Sequence, residues 1–273
     1  MKNLIILAAL LLMVSCKPKA DLVTIATPYG DIVVKLYDKT PRHHDNFLKL
    51  ADVGYYNGTL FHRVIPRFMI QGGDPVSKHA RPGQLLGDGD TTYTLPFEYV
   101  PEYIHKVGAL AAARENDDIN PEKKSSGSQF YIVQGKKFTD TELDAVELKV
   151  ERRTKQYILM SLLKNQGDSL ALKEFRGFTE KRDTASIRKV IDRYKNAVDA
   201  QYMRTKPFKL TETQRQVYKT IGGTPHLDGA YTVFGEVVSG MDAVNKIAAM
   251  KTDPNDRPVT DIPVTMKVIS RRK

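Results

Sequence analysis

The sequence predicts a mainly β domain interrupted by an inserted α-helical lobe, and three observations carry that prediction. Short runs rich in Val, Ile, Thr and aromatic residues at 22–37, 59–74, 129–133, 231–238 and 262–269 alternate along the chain and are bounded by Gly, Pro and Asp turns, as strands are. Between about Thr139 and Ile221 the apolar residues recur at helical spacing instead. The composition, 41% hydrophobic and 27% charged over 273 residues, is that of an ordinary globular chain with enough apolar side chains for a packed core.

At the start, Lys2 precedes an apolar run from Leu4 to Val14, which is too short to span a bilayer and reads as the core of a signal peptide over residues 1–15. The single cysteine, Cys16, follows directly. Met13-Val14-Ser15-Cys16 resembles a bacterial lipobox. That resemblance implies cleavage before Cys16, acylation (palmitate included) on Cys16, and a linker over residues 16–21. It also implies a lipid-anchored lipoprotein of the bacterial cell envelope, on the outer membrane facing the periplasm, because no Asp follows the cysteine.

Residues 22–37 read as a hairpin about Pro28-Tyr29-Gly30-Asp31. Thr40 to Val53 turns helical, with Thr40 as cap, Pro41 at the first position, Phe47, Leu50 and Ala51 as the apolar stripe and Gly54 as the stop. The stretch Thr59 to Asp74 is the most informative. Leu60, His62 and Val64 fall on one parity and Phe61, Arg63 and Ile65 on the other, so neither face is wholly apolar. A second run, Phe68 to Ile70, then leads to Gln71 and a Gly-Gly-Asp turn. Two strands joined at Pro66 can gather Arg63, Phe68, Met69 and Gln71 around one concavity; the plainer reading is an amphipathic hairpin with Arg63 reaching to water.

A Gly- and Asp-rich loop, Pro75 to Thr92, can border that concavity, and 96–106 is irregular. Val107 to Ala113 is small and apolar, which lets backbone approach a ligand closely, with Arg114 at its end. The polar stretch 115–126 is an exposed loop. On the next strand Gln129 and Tyr131 share a face, where an amide and a phenol can form a hydrogen-bonded core pair. In the span 139–220, Leu143, Val146, Val150, Tyr157 and Met160 mark one helix, and Ile187, Ile191, Tyr194, Val198 and Tyr202 another. Gly167 and Gly177 mark breaks around a shorter helical piece, and Thr211-Glu212-Thr213-Gln214 is a capping box opening a further helix that Gly222-Gly223 ends. These helices pack on one another or lie on the barrel near the concavity. His226 to Gly229 is a turn, Tyr231 to Val238 a strand, Met241 to Met250 a helix and Ile262 to Ile269 a closing strand.

Several of these blocks, in order, resemble the cyclophilins, the cyclophilin-type peptidyl-prolyl cis-trans isomerases: Thr40-Pro41 with Asn46-Phe47, Gly54 to Thr59, the stretch 59–74, Gly108 to Arg114 (GALAAAR), Ser126 to Val133 (SGSQFYIV) and His226 to Val237. The resemblance covers about 22–138 and 221–270. It implies a closed antiparallel barrel of eight strands capped by two helices, formed by 22–138 and 221–273, with 139–220 as the inserted helical lobe. The implied activity is acceleration of X-Pro bond rotation in exported or envelope proteins. By position, Arg63 is then the catalytic arginine, with Phe68 and Gln71 beside it, and Met69, Tyr131 and Leu227 complete the proline pocket. Gln71 and Gln129 bond the substrate backbone, and Ala113 and Arg114 face the residue before the proline. The pocket rim holds His226, where the best-known eukaryotic members carry Trp, and Tyr231, where they carry His; Arg114 replaces a familiar Asn. These departures count against tight cyclosporin binding.

The residues themselves suit that chemistry. Rotation about X-Pro loses amide resonance, a barrier of about 18–20 kcal/mol, without breaking a bond. A catalyst therefore needs no nucleophile, metal or cofactor, only a group that prefers the twisted amide to the planar one, and an arginine, charged at every relevant pH, can bond the lone pair that the prolyl nitrogen regains. His43-His44 and the scattered Asp residues lack metal-ligand spacing, and Gln71-Gly72-Gly73-Asp74 lacks a P-loop lysine. A net charge of +10 is dispersed among interleaved acids, so no nucleic-acid partner is expected. The expected partners are proline-containing polypeptides and a membrane through the lipid anchor, and the expected state is a monomer. The alternative is a non-catalytic peptide-binding or chaperone module using the pocket and the lobe.

Overall fold

The computed structural model describes residues 20–89, 92–165 and 169–271; Cys16 and the residues before it lie outside them. The predicted first hairpin is present as β1 (Leu22–Thr27) and β2 (Gly30–Leu36), and the central one as β3 (Arg63–Ile65) and β4 (Met69–Gly72). A two-residue strand, β5 (Thr94–Leu95), pairs apart with β7 (Ser125–Ser126). With β6 (Ala109–Ala112), β8 (Phe130–Val133), β9 (Val233–Ser239) and β10 (Thr265–Ser270), the other strands form one eight-stranded antiparallel sheet in the order β10-β1-β2-β9-β6-β8-β4-β3. The two edge strands do not pair directly. The sheet curls until residues just before each edge meet: Leu60 bridges Pro263, Phe61 N–H donates to Ile262 O at 3.0 Å and Val264 N–H to Thr59 O at 2.8 Å. That contact occupies backbone groups that an open edge would leave unpaired.

Period two divides the strands between two environments. Val64, Ile70, Leu110, Ala112, Phe130, Ile132 and Phe234 point into the main core, which the helices α1 (Pro41–Asp52) and α6 (Met241–Ala248) cap with Phe47, Leu50, Val244 and Ile247. Met69, Ala109, Ala111, Tyr131, Val133 and Val233 alternate with them onto the opposite face and form a second cluster. Strands buried on both faces explain why β6 and β8 carry no solvent-facing polar residue. Thr40 precedes α1 but its side chain caps nothing; the Glu98 carboxylate accepts from the Arg42 and His43 N–H groups, at 3.2 and 3.0 Å, and satisfies the helix start from across the chain.

The span after β8 folds into α2 (Asp140–Asn165), α3 (Ser169–Glu180), α4 (Thr184–Arg204) and α5 (Glu212–Thr220). The second half of α2 packs on α3 and α4 through Ile158, Leu163, Val190, Tyr194, Val198 and Tyr202, a core separate from the barrel's. Three expectations need correction. Gly177 lies inside α3 and breaks nothing, while Gly167 is outside the described residues. Val190 takes the buried place expected of Ile191, which is exposed. On α2, Ile158, Leu159 and Leu163 enter the lobe core and Met160 packs against it, whereas Tyr157 is exposed. The capping box at Thr211 forms as expected, with both reciprocal bonds to Gln214.

Candidate active site

Strand alternation builds the site. In β3 and β4, Arg63 stands opposite Gln71, and in β8 Tyr131 stands opposite Gln71 in turn. With Ala113 at the end of β6, these residues share the face turned away from the main core. A cavity of about 500 Å³ opens there, with Arg63, Gln71, Ala113 and His226 on its walls and Phe68, Met69, Tyr131 and Leu227 lining its apolar part. Every pocket residue expected from the sequence except Gln129 lines this one cavity; Gln129 lines the adjoining one of about 260 Å³ with Gln71, Ala113 and Arg114.

The polar wall is held by a chain of bonds. Arg63 Nε faces Asp256 Oδ2 at 3.5 Å, and Nη1 donates to Gln71 Oε1 at 3.3 Å. Gln71 Nε2 donates to Gln129 Oε1 at 3.0 Å, and Gln129 Nε2 donates to the Gly87 and Gly89 carbonyls, at 2.7 and 2.5 Å. Residues 81–89 are held as a rim, with the Asp74 carboxylate accepting from Gly87 N–H at 2.7 Å and Arg257 Nη1 donating to Arg81 O and Gln84 O at 2.9 and 2.8 Å. The Arg63 side chain stays 42% exposed, so guanidinium N–H groups beyond the two engaged ones face the cavity.

The apolar side is equally constrained. His226 stacks on Phe68, ring centroids 5.6 Å apart, and is partly buried rather than freely solvated. Burial, then the nearby Arg153, pushes its imidazole down to about 4; it is neutral at pH 7. Arg114 is spent on structure: its guanidinium donates to Ala230 O and Glu115 O, both at 2.7 Å, pairs with Asp117, and lies 4.5 Å over the Tyr231 ring. With that side chain only 2% exposed, Arg114 is a brace beside the pocket.

A cyclophilin-type family model, described as "Cyclophilin type peptidyl-prolyl cis-trans isomerase/CLD", matches residues 22–158 and 166–268. The chain belongs to the cyclophilin family. A putative peptidyl-prolyl cis-trans isomerase of Staphylococcus saprophyticus is 30% identical over 241 residues, which are 87% of this chain and 86% of that protein. The peptidyl-prolyl cis-trans isomerase cypE of Dictyostelium discoideum is 28% identical over 242 residues, 88% and 92% of the two chains. In fold, the chain is similar to a Cryptosporidium parvum cyclophilin type peptidyl-prolyl cis-trans isomerase, with a TM-score of 0.53 at 20% identity over 92% of this chain and 99% of that one.

Four residues at or next to this cavity were not legible as such from the sequence. Asp256, on the loop before the closing strand, holds Arg63 from 193 positions away. His62, beside Arg63, lines the cavity while 2% exposed, and burial pushes its imidazole down to about 4. His105 and Asp228 lie beneath Tyr131. Asp228 accepts from the His105 backbone N–H and Nδ1, at 2.9 and 2.8 Å, which leaves Nε2 to accept the Tyr131 hydroxyl at 2.9 Å. The other Asp228 oxygen accepts from the Tyr218 hydroxyl of α5 at 2.6 Å. Burial also pushes the Tyr131 phenol well up, so it stays protonated. His105 lies in an irregular segment and Asp228 in a turn, and neither local sequence says what its side chain meets; only the fold brings them together. Among the described residues there is no group of three His, Cys, Asp or Glu placed to hold a metal, and no helix long and apolar enough to cross a membrane.

Proposed function

We propose that this cyclophilin accelerates rotation about X-Pro bonds of exported or envelope polypeptides by stabilising the twisted amide with Arg63. The observation that carries this reading is one juxtaposition: a half-exposed guanidinium, oriented by Gln71 and Asp256, beside an apolar recess of Phe68, Met69, Tyr131 and Leu227. The proline ring enters the recess and sheds water. The prolyl nitrogen then lies near Arg63, whose free N–H groups bond the lone pair that exists only when the amide is twisted. Displacing water from the recess strengthens the cation's field. Gln71 contributes its remaining amide N–H to the substrate backbone, while Gln129 sets the rim through Gly87 and Gly89. Ala113 offers a wall without bulk to the residue before proline, beside Arg114 and the rim residues His226 and Tyr231.

Prolyl isomerisation of a short Ala-Pro peptide by the chain from Lys17, beside Arg63→Ala, tests this. Loss of a preorganised donor costs about 100-fold or more in rate, so the variant should fall by that factor at unchanged circular dichroism. Equal rates in the two proteins would refute the role of Arg63, and no acceleration by either would leave a peptide-binding module.

The place of action is part of the same proposal. Acylation of Cys16 would tether the pocket to the outer membrane facing the periplasm, the reading that the Met13 to Cys16 motif supports. Metabolic labelling with a palmitate analogue checks it; label that persists in Cys16→Ser would count against it.

A further inference from the structure

One face of α2 runs along the pocket. Val146, Lys149, Arg153, Gln156, Met160 and Lys164 are three or four residues apart, so they form a single stripe, and each lines a cavity on the side facing the barrel. Three cavities follow this stripe. The first, about 350 Å³, shares Phe68 and His226 with the proline pocket; the third, about 430 Å³, shares Arg114, Arg153 and Tyr231 with it. Together they make one trough with the proline pocket midway.

The trough is polarised. On the lobe side, Lys149, Arg153, Lys164 and Arg176 make no ion pair among the described residues. On the barrel side stand the carboxylates Asp88, Glu115 and Asp118, while Asp117 is bound to Arg114. A chain lying on the barrel face and bonded by Arg63 and Gln71 therefore turns some side chains toward an unpaired cationic wall. Some other lobe cations are paired, Lys155 with Glu151 and Asp199 and Arg215 with Asp140 and Asp144; of the lobe cations that are not, Lys149, Arg153, Lys164 and Arg176 are the ones that line the trough.

We infer that Arg153, supported by Lys149, is a specificity-determining residue that selects proline segments carrying an acidic side chain within three residues of the proline. This rests on the isomerase reading above. Both side chains are exposed, so the selectivity is that of a few screened contacts, about 5-fold for each kcal/mol, and it declines with salt.

The test is a set of Ala-Pro peptides with Glu, Gln or Lys at each flanking position, assayed at low and at 0.5 M salt. Wild type should prefer Glu over Lys in kcat/KM by about 5- to 10-fold at one or two positions. Arg153→Lys should keep that ratio, Arg153→Gln with Lys149→Gln should bring it near one, and Arg153→Glu should invert it. A ratio near one throughout in wild type, or one that Arg153→Glu leaves unchanged, would overturn the inference. If wild type is no faster than Arg63→Ala on the neutral peptide, the isomerase reading has failed by itself. The same Glu and Lys peptides, labelled and measured by fluorescence polarisation, then decide the charge reading through their affinity ratio.

Discussion

The barrel and the lobe place their residues by different rules. On the barrel, each site side chain is fixed by strand pairing on both sides: Arg63, Gln71 and Tyr131 lie in register across β3, β4 and β8. A one-residue slip there would turn all of them into the core, so their register is strongly specified. In the lobe, α2, α3 and α4 are held by one apolar cluster of their own, and the chain returns through α5, whose Tyr218 is wholly buried against the barrel beside Leu143 and Leu210. The lobe is thus two things. Its outer part is a small bundle, and its base, α5 with the first turns of α2, belongs mechanically to the barrel.

The sharpest way to break this distinction is Leu163→Ala. Leu163 is fully buried in the lobe's own cluster, and its truncation should cost about 3–4 kcal/mol. If the two cores are energetically separate, calorimetry should show the lobe melting alone, ahead of a barrel transition at its wild-type temperature, with Arg63-dependent turnover of the neutral peptide retained. A single transition lowered as a whole would show one cooperative unit, and the separate outer bundle would have to be abandoned.

The barrel side is probed by acid. His62 is buried, and its folded-state value of about 4 lies below the ordinary 6.5. The unfolded chain therefore binds the extra proton first. Stability from this group is fully present above pH 6.5 and is lost as pH falls toward about 4, by on the order of 2–3 kcal/mol. Urea midpoints between pH 7 and 4 should fall more steeply for wild type than for His62→Gln. Parallel curves would refute the assignment. The catalytic step moves no proton, so kcat/KM should be level from pH 6.5 to 8 while the protein stays folded.

What the sequence made legible follows the same divide. Alternation and the turn at Pro66 place Arg63 and Gln71 around one concavity and Gln129 with Tyr131 on one strand face, because period two is a strictly local property; only the family resemblance joins Tyr131 to Arg63. The partners that tune them were illegible: Asp256 and Asp228 come from turns whose position depends on how the sheet closes. Thr40 failed as a cap for the same reason, since Glu98 arrives from a distant irregular segment. In the lobe, the periodicity of α2 predicts a helix but not which side meets the bundle: Ile158, Leu159 and Leu163 enter the bundle's core with Met160 packed against it, while Tyr157 borders the trough.

Tyr218→Phe tests the joint between base and pocket. It removes only the hydroxyl that donates to Asp228 at 2.6 Å, leaving a buried carboxylate oxygen short of a partner, a loss of about 1–2 kcal/mol. Asp228 follows Leu227 in the chain and orients His105 under Tyr131, so the cost should also reach the pocket: a severalfold rise in KM for the Ala-Pro peptide with little change in kcat. A purely structural hydroxyl would lower the melting temperature and leave KM alone.

The smallest effect separates backbone preference from packing within the lobe. Gly177 sits inside α3, and a Cβ built there meets no atom within 4 Å. Nothing in the fold requires a glycine at this point, neither a left-handed φ nor a close neighbour. Glycine in a helix interior costs about 0.5–1 kcal/mol relative to alanine, so Gly177→Ala should stabilise. If the outer bundle melts by itself, that gain belongs to its transition only, raising it by a few degrees while the barrel transition and the peptide rate stay fixed. A gain shared by both transitions would tie α3 to the barrel, and a loss would mean that the helix break the sequence suggested at Gly177 is present in solution.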